Sequence, residues 1–249
     1  MRGDLIAFVE ANTRLAATPL VPEIMLRLAC DATGIFAAAA VVEPAERFAP
    51  YWAFAWPGGQ ATARYLLDHP ECVRGRRVLD IGAGSGLAAI AAMQAGAAHA
   101  LAADIDPMAA IAIDLNARAN GVAVETLTAD ILGAMPPADL VLMGDLVYEP
   151  EMAIRVAALL ETIARGGADV LVADRTSARR LVPVKAGAPS KCSLAPPRPP
   201  KPGHRGRNQN RPPVAFELIA EYDAPLMPRL PAHPFEKARL WRLSTKSSG

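Results

Sequence analysis

RVLDIGAGSGL, at residues 77–87, is the stretch of this chain that decides its fold. An apolar segment of strand type runs into three closely spaced glycines, and residues of helical character follow. A strand that opens into glycines and then a helix lets a nucleoside-bearing ligand approach the backbone, because glycine has no Cβ to block it. The stretch therefore predicts a nucleotide-like cofactor at a strand-to-helix turn.

The spacing of the glycines distinguishes between cofactors. Dinucleotide sites favour a third glycine three residues after the second, and Leu87 stands at that position. Asp80, two residues before the first glycine, places a carboxylate beside the strand tip. A carboxylate there would repel a diphosphate but could help to hold the cationic end of a methionine moiety. The pattern favours S-adenosylmethionine over NAD.

A second acidic residue follows the next predicted strand. Asp104 ends the apolar segment at residues 98–103, and a carboxylate at a strand tip can accept hydrogen bonds from both ribose hydroxyls. Asp106, which precedes Pro107, is more simply a helix cap. Asp104 is therefore the predicted ribose ligand.

Length and composition limit the classes of protein to be considered. At 249 residues the chain can bury one substantial core, so one main domain is expected. The hydrophobic fraction of 52% comes largely from alanine, and no uninterrupted apolar stretch reaches about 18 residues, so no membrane span is predicted. The formal net charge of +1 provides no overall attraction to nucleic acid, which is not expected as a partner.

Cysteine usage and the first residues bear on cellular location. The three cysteines are odd in number and lack C-x-x-C spacing, so neither a disulfide framework nor a zinc site is favoured, and the four histidines are scattered. Asp4 and Glu10 stand where a secretory signal would have its apolar core, so export is not expected. The sequence predicts a protein of the reducing cytoplasm with no bound metal.

Strand and helix signals alternate along most of the chain. Helices are predicted at residues 61–68, 86–95, 107–120 and 151–164, and strands at 77–81, 98–103, 124–128, 140–144, 169–173, 215–222 and 238–243. This alternation predicts an α/β fold, with a largely parallel seven-stranded sheet and helices on both faces. Ligands of such sheets lie beyond the carboxyl ends of the strands. Five acidic residues are expected at that rim: Asp80, Asp104, Asp130, Asp145 and Asp174.

Residues 1–60 are predicted to form an N-terminal entrance segment ahead of the main domain at residues 61–249. Helical spacing of apolar residues predicts small helices at residues 4–17 and 21–31. The chain is only 5% aromatic, yet four aromatic residues stand just before a Pro-Gly-Gly sequence. They are Tyr51, Trp52, Phe54 and Trp56.

Residues 175–213 break the alternating pattern. This stretch has no acidic residue, several arginines and lysines, and a proline-rich centre, which predicts an extended, disordered insertion. A passive loop, a surface that docks on an acidic partner or nucleic acid, and the product of a shifted reading frame are the interpretations left open.

The glycine loop and the strand order resemble those of the Rossmann-like class I S-adenosylmethionine-dependent methyltransferases. Three N-terminal sequences, NTRL at 12–15, PLVPEI at 19–24 and YWAFAWPGGQ at 51–60, resemble the lysine methyltransferases that modify the beta subunit of electron transfer flavoprotein. GDLVY at residues 144–148 is similar to the D-x-x-Y element of the wider protein-lysine methyltransferase group. After Asp174 the chain departs from that family, which has Asp-Pro-Gly-Arg there.

The resemblance implies roles for individual residues. Asp145 and Tyr148 would flank the incoming lysine. The cofactor residues would be Asp80, Gly82 and Gly84 for the methionine half, Asp104 for the ribose, Asp130 for the adenine amino group, Ile131 against the adenine ring and Trp56 at the pocket wall. Aromatic side chains such as Tyr51 and Trp52 could also bind the cationic substrate by cation-π contact.

The activity that the resemblance implies is S-adenosylmethionine-dependent methylation of lysines on electron transfer flavoprotein beta subunit. Another protein, such as a ribosomal protein, or a small amine stays open as the acceptor, because the fold does not determine it. A nucleic-acid methyltransferase acting on amino-adenine would show Asn-Pro-Pro-Tyr after the fourth strand, which GDLVY lacks. A cofactor-binding protein without catalysis is the alternative from a different class.

Overall fold

The computed structural model describes residues 2–42, 49–146, 150–175, 215–229 and 236–244. The helices are α1 (Arg2–Asn12), α2 (Gly34–Val42), α3 (Pro57–Asp68), α4 (Leu87–Gln94), α5 (Pro107–Ala119) and α6 (Pro150–Gly166). The strands are β1 (Thr13–Ala17), β2 (Met25–Ala29), β3 (Arg77–Ile81), β4 (His99–Asp104), β5 (Glu125–Thr128), β6 (Leu140–Gly144), β7 (Asp169–Arg175), β8 (Ala215–Ala224) and β9 (Glu236–Ser244).

A seven-stranded sheet organises the chain, in the order β5-β4-β3-β6-β7-β9-β8. The first five strands of that order are parallel, whereas β9 runs antiparallel to both of its neighbours. All seven strands and the four helices α3 to α6 overlap their predicted positions, so the α/β prediction is confirmed. Because the order reverses direction at β3, the carboxyl ends of β3, β4 and β6 face a crevice of the kind that binds ligands.

Each face of the sheet packs against helices. Val78 of β3 belongs to a core that includes residues of α3 and α4, whereas its neighbour Leu79 belongs to a core built on α6. Successive side chains of a strand point to opposite faces, so a strand buried on both faces is apolar almost throughout. This explains why β6 is a continuous apolar run in the sequence, and why the buried part of β3 is apolar except for Asp80.

The N-terminal segment differs from its prediction. The helix predicted at residues 4–17 ends at Asn12 in α1, and the helix predicted at 21–31 is replaced by β2, which pairs antiparallel with β1. The N–H groups of Met25 and Arg27 in β2 donate to side-chain oxygens of Asn120 (2.9 Å) and Asn116 (2.8 Å). These hydrogen bonds to α5 and its C-cap satisfy the open edge of β2, and they outweigh the local helical pattern.

The described residues bear only in part on two further predictions, the domain boundary and the insertion. The boundary proposed between residues 60 and 61 falls inside α3, and the division of the chain there stays a prediction. The proline-rich insertion lies outside the described residues, apart from Arg175 at the end of β7. Among the helices of the described ranges, none combines the length and apolar character that crossing a bilayer requires.

Candidate functional site

A cleft of about 670 Å³ opens at the carboxyl ends of β3, β4 and β6. All the site residues predicted from the sequence that the structure describes line it: Trp56, Asp80, Gly82, Gly84, Asp104, Asp130, Ile131 and Asp145. Tyr148 lies outside the described residues. Asp174, which was expected at the same rim, ends up half-buried in β7 and is not among the described lining residues. These residues share one cleft, and the individual role of each stays a prediction.

The glycine loop forms the floor of the cleft. Gly82, Gly84 and Gly86 have φ angles of 67°, 52° and 77°, in the left-handed region that favours glycine. Gly86 is the N-cap of α4 and has no side chain with which to cap it, so the loop leads directly into the helix N-terminus. A Cβ on Gly82 would lie 2.7 Å from Cδ1 of Leu146, which shows how closely the chain after β6 approaches the loop.

Asp80 is a buried carboxylate beside this loop. It is 3% exposed, and its Oδ2 accepts a hydrogen bond from the backbone N–H of Ala89 at 3.2 Å. Burial raises the pKa of Asp80 to about 7; the hydrogen bond from Ala89 opposes this shift, and the charge of Asp104 adds to it. A buried group that is half-ionised at neutral pH favours a cationic ligand, because the positive charge stabilises the carboxylate.

Asp104 bridges the tip of β4 and the glycine loop. Its Oδ2 accepts from the N–H of Gly84 at 2.8 Å, and its Oδ1 accepts from the N–H of Asp106 at 3.0 Å. Burial raises the pKa of Asp104, although these backbone hydrogen bonds work against the shift. Asp106 caps α5 by accepting from the N–H of Met108 at 2.8 Å, so the prediction of a helix cap is confirmed.

Asp130 lies at the other end of the cleft and is paired with Arg155 of α6. The guanidinium Nη2 of Arg155 donates to both carboxylate oxygens, at 2.7 and 2.6 Å, and this contact lowers the pKa of Asp130. Ile131 beside it is 6% exposed and packs into the core under α6. Arg155 was not identified from the sequence, because an arginine on the exposed side of a helix has no distinguishing pattern.

Asp145 follows β6 with a φ of 49°, the one positive φ found on a described residue other than glycine. Its backbone N–H donates to the carbonyl oxygen of Ala173 in β7 at 3.0 Å, which fixes the chain at this point. Its Oδ2 accepts from the N–H of Gly58 in α3 at 2.5 Å. The carboxylate therefore lines the cleft while bonded to a helix N-terminus.

Aromatic side chains form one wall of the cleft. The Trp56 indole N–H donates to the carbonyl oxygen of Tyr51 at 2.9 Å, and the two rings meet edge to face with centroids 5.3 Å apart. Tyr51 is 40% exposed and presents an aromatic surface to solvent. Trp52 is 1% exposed and packs in the core, so its ring is not available for the predicted contact with a substrate cation. Phe36 of α2 joins the wall, and no sequence signal had marked it.

The chemistry of the cleft is anionic. Its charged lining consists of five aspartates and Arg155 as the single basic side chain among the described lining residues. In the described ranges, no group of three or more His, Cys, Asp or Glu is placed to hold a metal ion. Aspartates on a glycine loop, next to exposed aromatic rings, suit an organic cation.

Comparisons with known proteins identify relatives of this chain. The family model of ribosomal protein L11 methyltransferase matches residues 64–163. The electron transfer flavoprotein beta subunit lysine methyltransferase of Rattus norvegicus is 44% identical over 150 residues, which cover 59% of this chain and 58% of the relative. The relative of the same name from Xenopus laevis is 40% identical over 171 residues, covering 68% of this chain and 69% of the relative.

A solved structure supports the fold at greater distance. A Pyrococcus horikoshii protein described as an RNA methyltransferase candidate superposes with a TM-score of 0.52 at 11% identity, covering 84% of this chain and 97% of that one. This likeness concerns the fold alone. The alignments to the mammalian relatives span about three fifths of those proteins' length. By its sequence, the chain belongs to the family of electron transfer flavoprotein beta subunit lysine methyltransferases.

Proposed function

We propose that this protein is an S-adenosylmethionine-dependent lysine N-methyltransferase whose acceptor is the beta subunit of electron transfer flavoprotein. The observation that carries the proposal is the meeting of Asp80, Asp104 and Asp145 around one glycine loop in an anionic, aromatic-walled cleft. Both the cofactor and the acceptor side chain are cations, so one negative site can serve the two. The names of the related proteins support the choice of acceptor.

The residues present fit S-adenosylmethionine. The cleft volume of about 670 Å³ lies within the range of small-molecule sites, about 300–1,000 Å³. Asp80 would face the cationic methionine end, because its pKa of about 7 lets a cation draw it into the ionised form. Asp104 would hold the ribose hydroxyls, and Asp130 and Ile131 the adenine. When bound, this cofactor supplies a methyl group already activated on a sulfonium.

Asp145 would receive and orient the lysine. A lysine with a pKa of about 10.4 must lose a proton before it can react, which near pH 7.4 requires roughly 4 kcal/mol. Asp145 alone would raise that pKa, whereas burial beside Tyr51 and Trp56 and the nearby positive charge would lower it. The chain's main contributions are therefore alignment of the amine and exclusion of water. Tyr148 lies outside the described residues. We propose that it also stands beside the lysine.

A glycine-to-alanine pair tests the cofactor loop. Gly82→Ala is expected to weaken S-adenosylmethionine binding at least tenfold, because the new Cβ would lie 2.7 Å from Leu146 in the cofactor cleft. Gly75 is the matched control: its φ is 73°, but a Cβ there would meet nothing within 4 Å. Both variants carry about 1–3 kcal/mol of strain from the left-handed backbone. A difference in their affinity for S-adenosylmethionine, measured by calorimetric titration, therefore reports the contact in the cleft and not the strain. Equal cofactor affinity in the two variants would contradict the loop assignment.

The acceptor is tested by methylation in vitro. The purified protein is incubated with isotope-labelled S-adenosylmethionine and the complete electron transfer flavoprotein of the same cell, and peptides are analysed by mass spectrometry. Labelled methyl groups are expected on beta-subunit lysines, and none in a reaction without cofactor. Cofactor binding without transfer to any acceptor would instead favour a binding protein without catalysis.

A second acceptor has a specific observation in its favour. The family model of ribosomal protein L11 methyltransferase covers residues 64–163, which include the glycine loop and Asp145. The same assay therefore includes L11 as an acceptor, together with small primary amines. Preferential labelling of L11 would overturn the proposed flavoprotein acceptor and retain the amine chemistry.

The cytoplasm is the proposed location. Cys30 and Cys72, the cysteines in the described ranges, are free thiols, which is compatible with a reducing compartment. Fractionation with an antibody against the native protein tests this placement.

A further inference from the structure

We propose that Gly58 is a positioning residue for methyl transfer: its N–H holds the Asp145 carboxylate in place, and its lack of a side chain makes this contact possible. The inference rests on the proposed function, because it assumes that Asp145 orients the lysine. It adds a requirement at the N-terminus of α3.

The backbone at Asp145 is held independently of its side chain. Its N–H donates to Ala173 of the neighbouring strand at 3.0 Å, and its φ of 49° turns the chain sharply after β6. The side chain then reaches across 87 residues of sequence to accept from the Gly58 N–H at 2.5 Å. Backbone and carboxylate are thus held by two different elements.

The space around Gly58 admits no side chain. A Cβ at this residue would lie 2.6 Å from Oδ2 and 2.9 Å from Cγ of Asp145, and 3.0 Å from the carbonyl oxygen of Ala173. Gly144, at the end of β6, is also tightly packed, because its Cβ would lie 3.1 Å from the N of Gly59. The end of β6 and the start of α3 therefore meet backbone to backbone.

The helix N-terminus makes this contact favourable for an anion. Pro57 begins α3 and has no N–H, so the N–H of Gly58 is the first donor of the helix. Trp56, the N-cap residue, makes no side-chain capping bond, and Asp145 supplies the acceptor instead. A carboxylate at a helix N-terminus is stabilised by the helix dipole and by a charge-assisted hydrogen bond. Asp145 is therefore oriented before the lysine arrives.

Gly58→Ala tests the positioning role. The variant is expected to lower kcat/KM for the flavoprotein about 10- to 100-fold, mainly through kcat, because displacement by about 1 Å is enough to misalign reacting groups. Its affinity for S-adenosylmethionine should match the wild type. Gly166→Ala, at the end of α6 where a Cβ would meet nothing within 4 Å, is the matched control and should keep full activity. Wild-type kcat/KM in a folded Gly58→Ala variant would overturn the inference.

A spectroscopic measurement avoids dependence on the folding of that variant. With glycines labelled by ¹⁵N, the Gly58 amide proton is expected to move upfield in Asp145→Asn, because a neutral amide oxygen is a weaker acceptor than a carboxylate. The Gly166 resonance should not move, because this glycine lies at the end of α6, away from the contact between α3 and Asp145. An unchanged Gly58 resonance would overturn this inference and leave the proposed function intact.

The two failures are distinguishable. A wild-type protein that methylates no lysine, with Gly58 responding to Asp145→Asn, overturns the proposed function and with it the catalytic use of this contact. A wild-type protein that methylates lysine, with an unresponsive Gly58, overturns only the positioning role.

Discussion

Asp80→Asn is expected to stabilise the protein above neutral pH and, at the same time, to remove most of its affinity for S-adenosylmethionine. The carboxylate is 3% exposed and burial raises its pKa from 3.8 to about 7. Ionising it inside the folded chain is therefore unfavourable until a cation compensates for the charge. Asparagine keeps the shape and has no charge to bury.

The sign of the pH dependence follows from the raised pKa. Below about pH 4, Asp80 is protonated in both the folded and the unfolded chain, so its ionisation adds nothing to the difference between variant and wild type. Between about pH 4 and pH 7 only the unfolded chain releases the proton, so wild-type stability falls by about 1.4 kcal/mol per pH unit relative to Asp80→Asn. The difference levels off near 4 kcal/mol above pH 7, as an order of magnitude.

Denaturant unfolding at several pH values measures this difference. Asp139→Asn is the control of opposite sign, because the hydrogen bond from Arg77 lowers the pKa of Asp139 and its removal should weaken the protein slightly above acidic pH. A difference between Asp80→Asn and wild type that does not change with pH would show that Asp80 is ionised normally in the folded protein.

Cofactor affinity provides the functional half of the same prediction. Binding of a cation next to Asp80 requires the ionised form, so wild-type affinity for S-adenosylmethionine should fall nearly tenfold per unit as pH drops well below 7. Asp80→Asn should bind weakly at every pH and lose this dependence. Calorimetry in buffers of different ionisation enthalpy should detect proton release on binding to the wild type below pH 7.

The sheet could be predicted from sequence because each strand carries its own signal. β3 and β6 are buried on both faces, so they are rich in Val, Leu, Ile and Met, and a glycine stands at or just after the end of each. The hairpin of β1 and β2 has no such signal. Its β2 strand depends on hydrogen bonds that its N–H groups donate to Asn116 and Asn120, about 90 residues away, which no local pattern reveals.

The site divides in the same way. Asp80 and Asp104 could be identified because a residue at the end of a parallel strand has a known place at the sheet edge. The Asp130–Arg155 pair and the Gly58–Asp145 contact depend on how helices α6 and α3 dock against that edge. Sequence spacing identifies four of the five acidic residues expected at the rim, Asp174 being the exception, whereas docking of the helices decides which partner each carboxylate has.

Asp145→Asn should separate the charge of this residue from its shape. The amide oxygen can still accept from Gly58, so the N-terminus of α3 keeps a capping partner while the cleft loses one negative charge. We expect kcat/KM for the lysine substrate to fall about 100- to 1,000-fold, the usual effect of removing one preorganised electrostatic partner. Cofactor affinity should stay close to wild type, because Asp80 and Asp104 are intact.

The pH profile distinguishes an orienting role from a merely structural one. A carboxylate beside the ammonium raises the pKa of the bound lysine, so its removal should let the lysine lose its proton at lower pH. The rise of kcat with pH should therefore level off at lower pH in Asp145→Asn than in the wild type, even though the maximum is smaller. Asp139 lies just before β6, at the end opposite Asp145, so Asp139→Asn should leave both the rate and the pH profile unchanged. A slower Asp145→Asn enzyme with the wild-type profile would mean that Asp145 supports the fold of the cleft without facing the lysine.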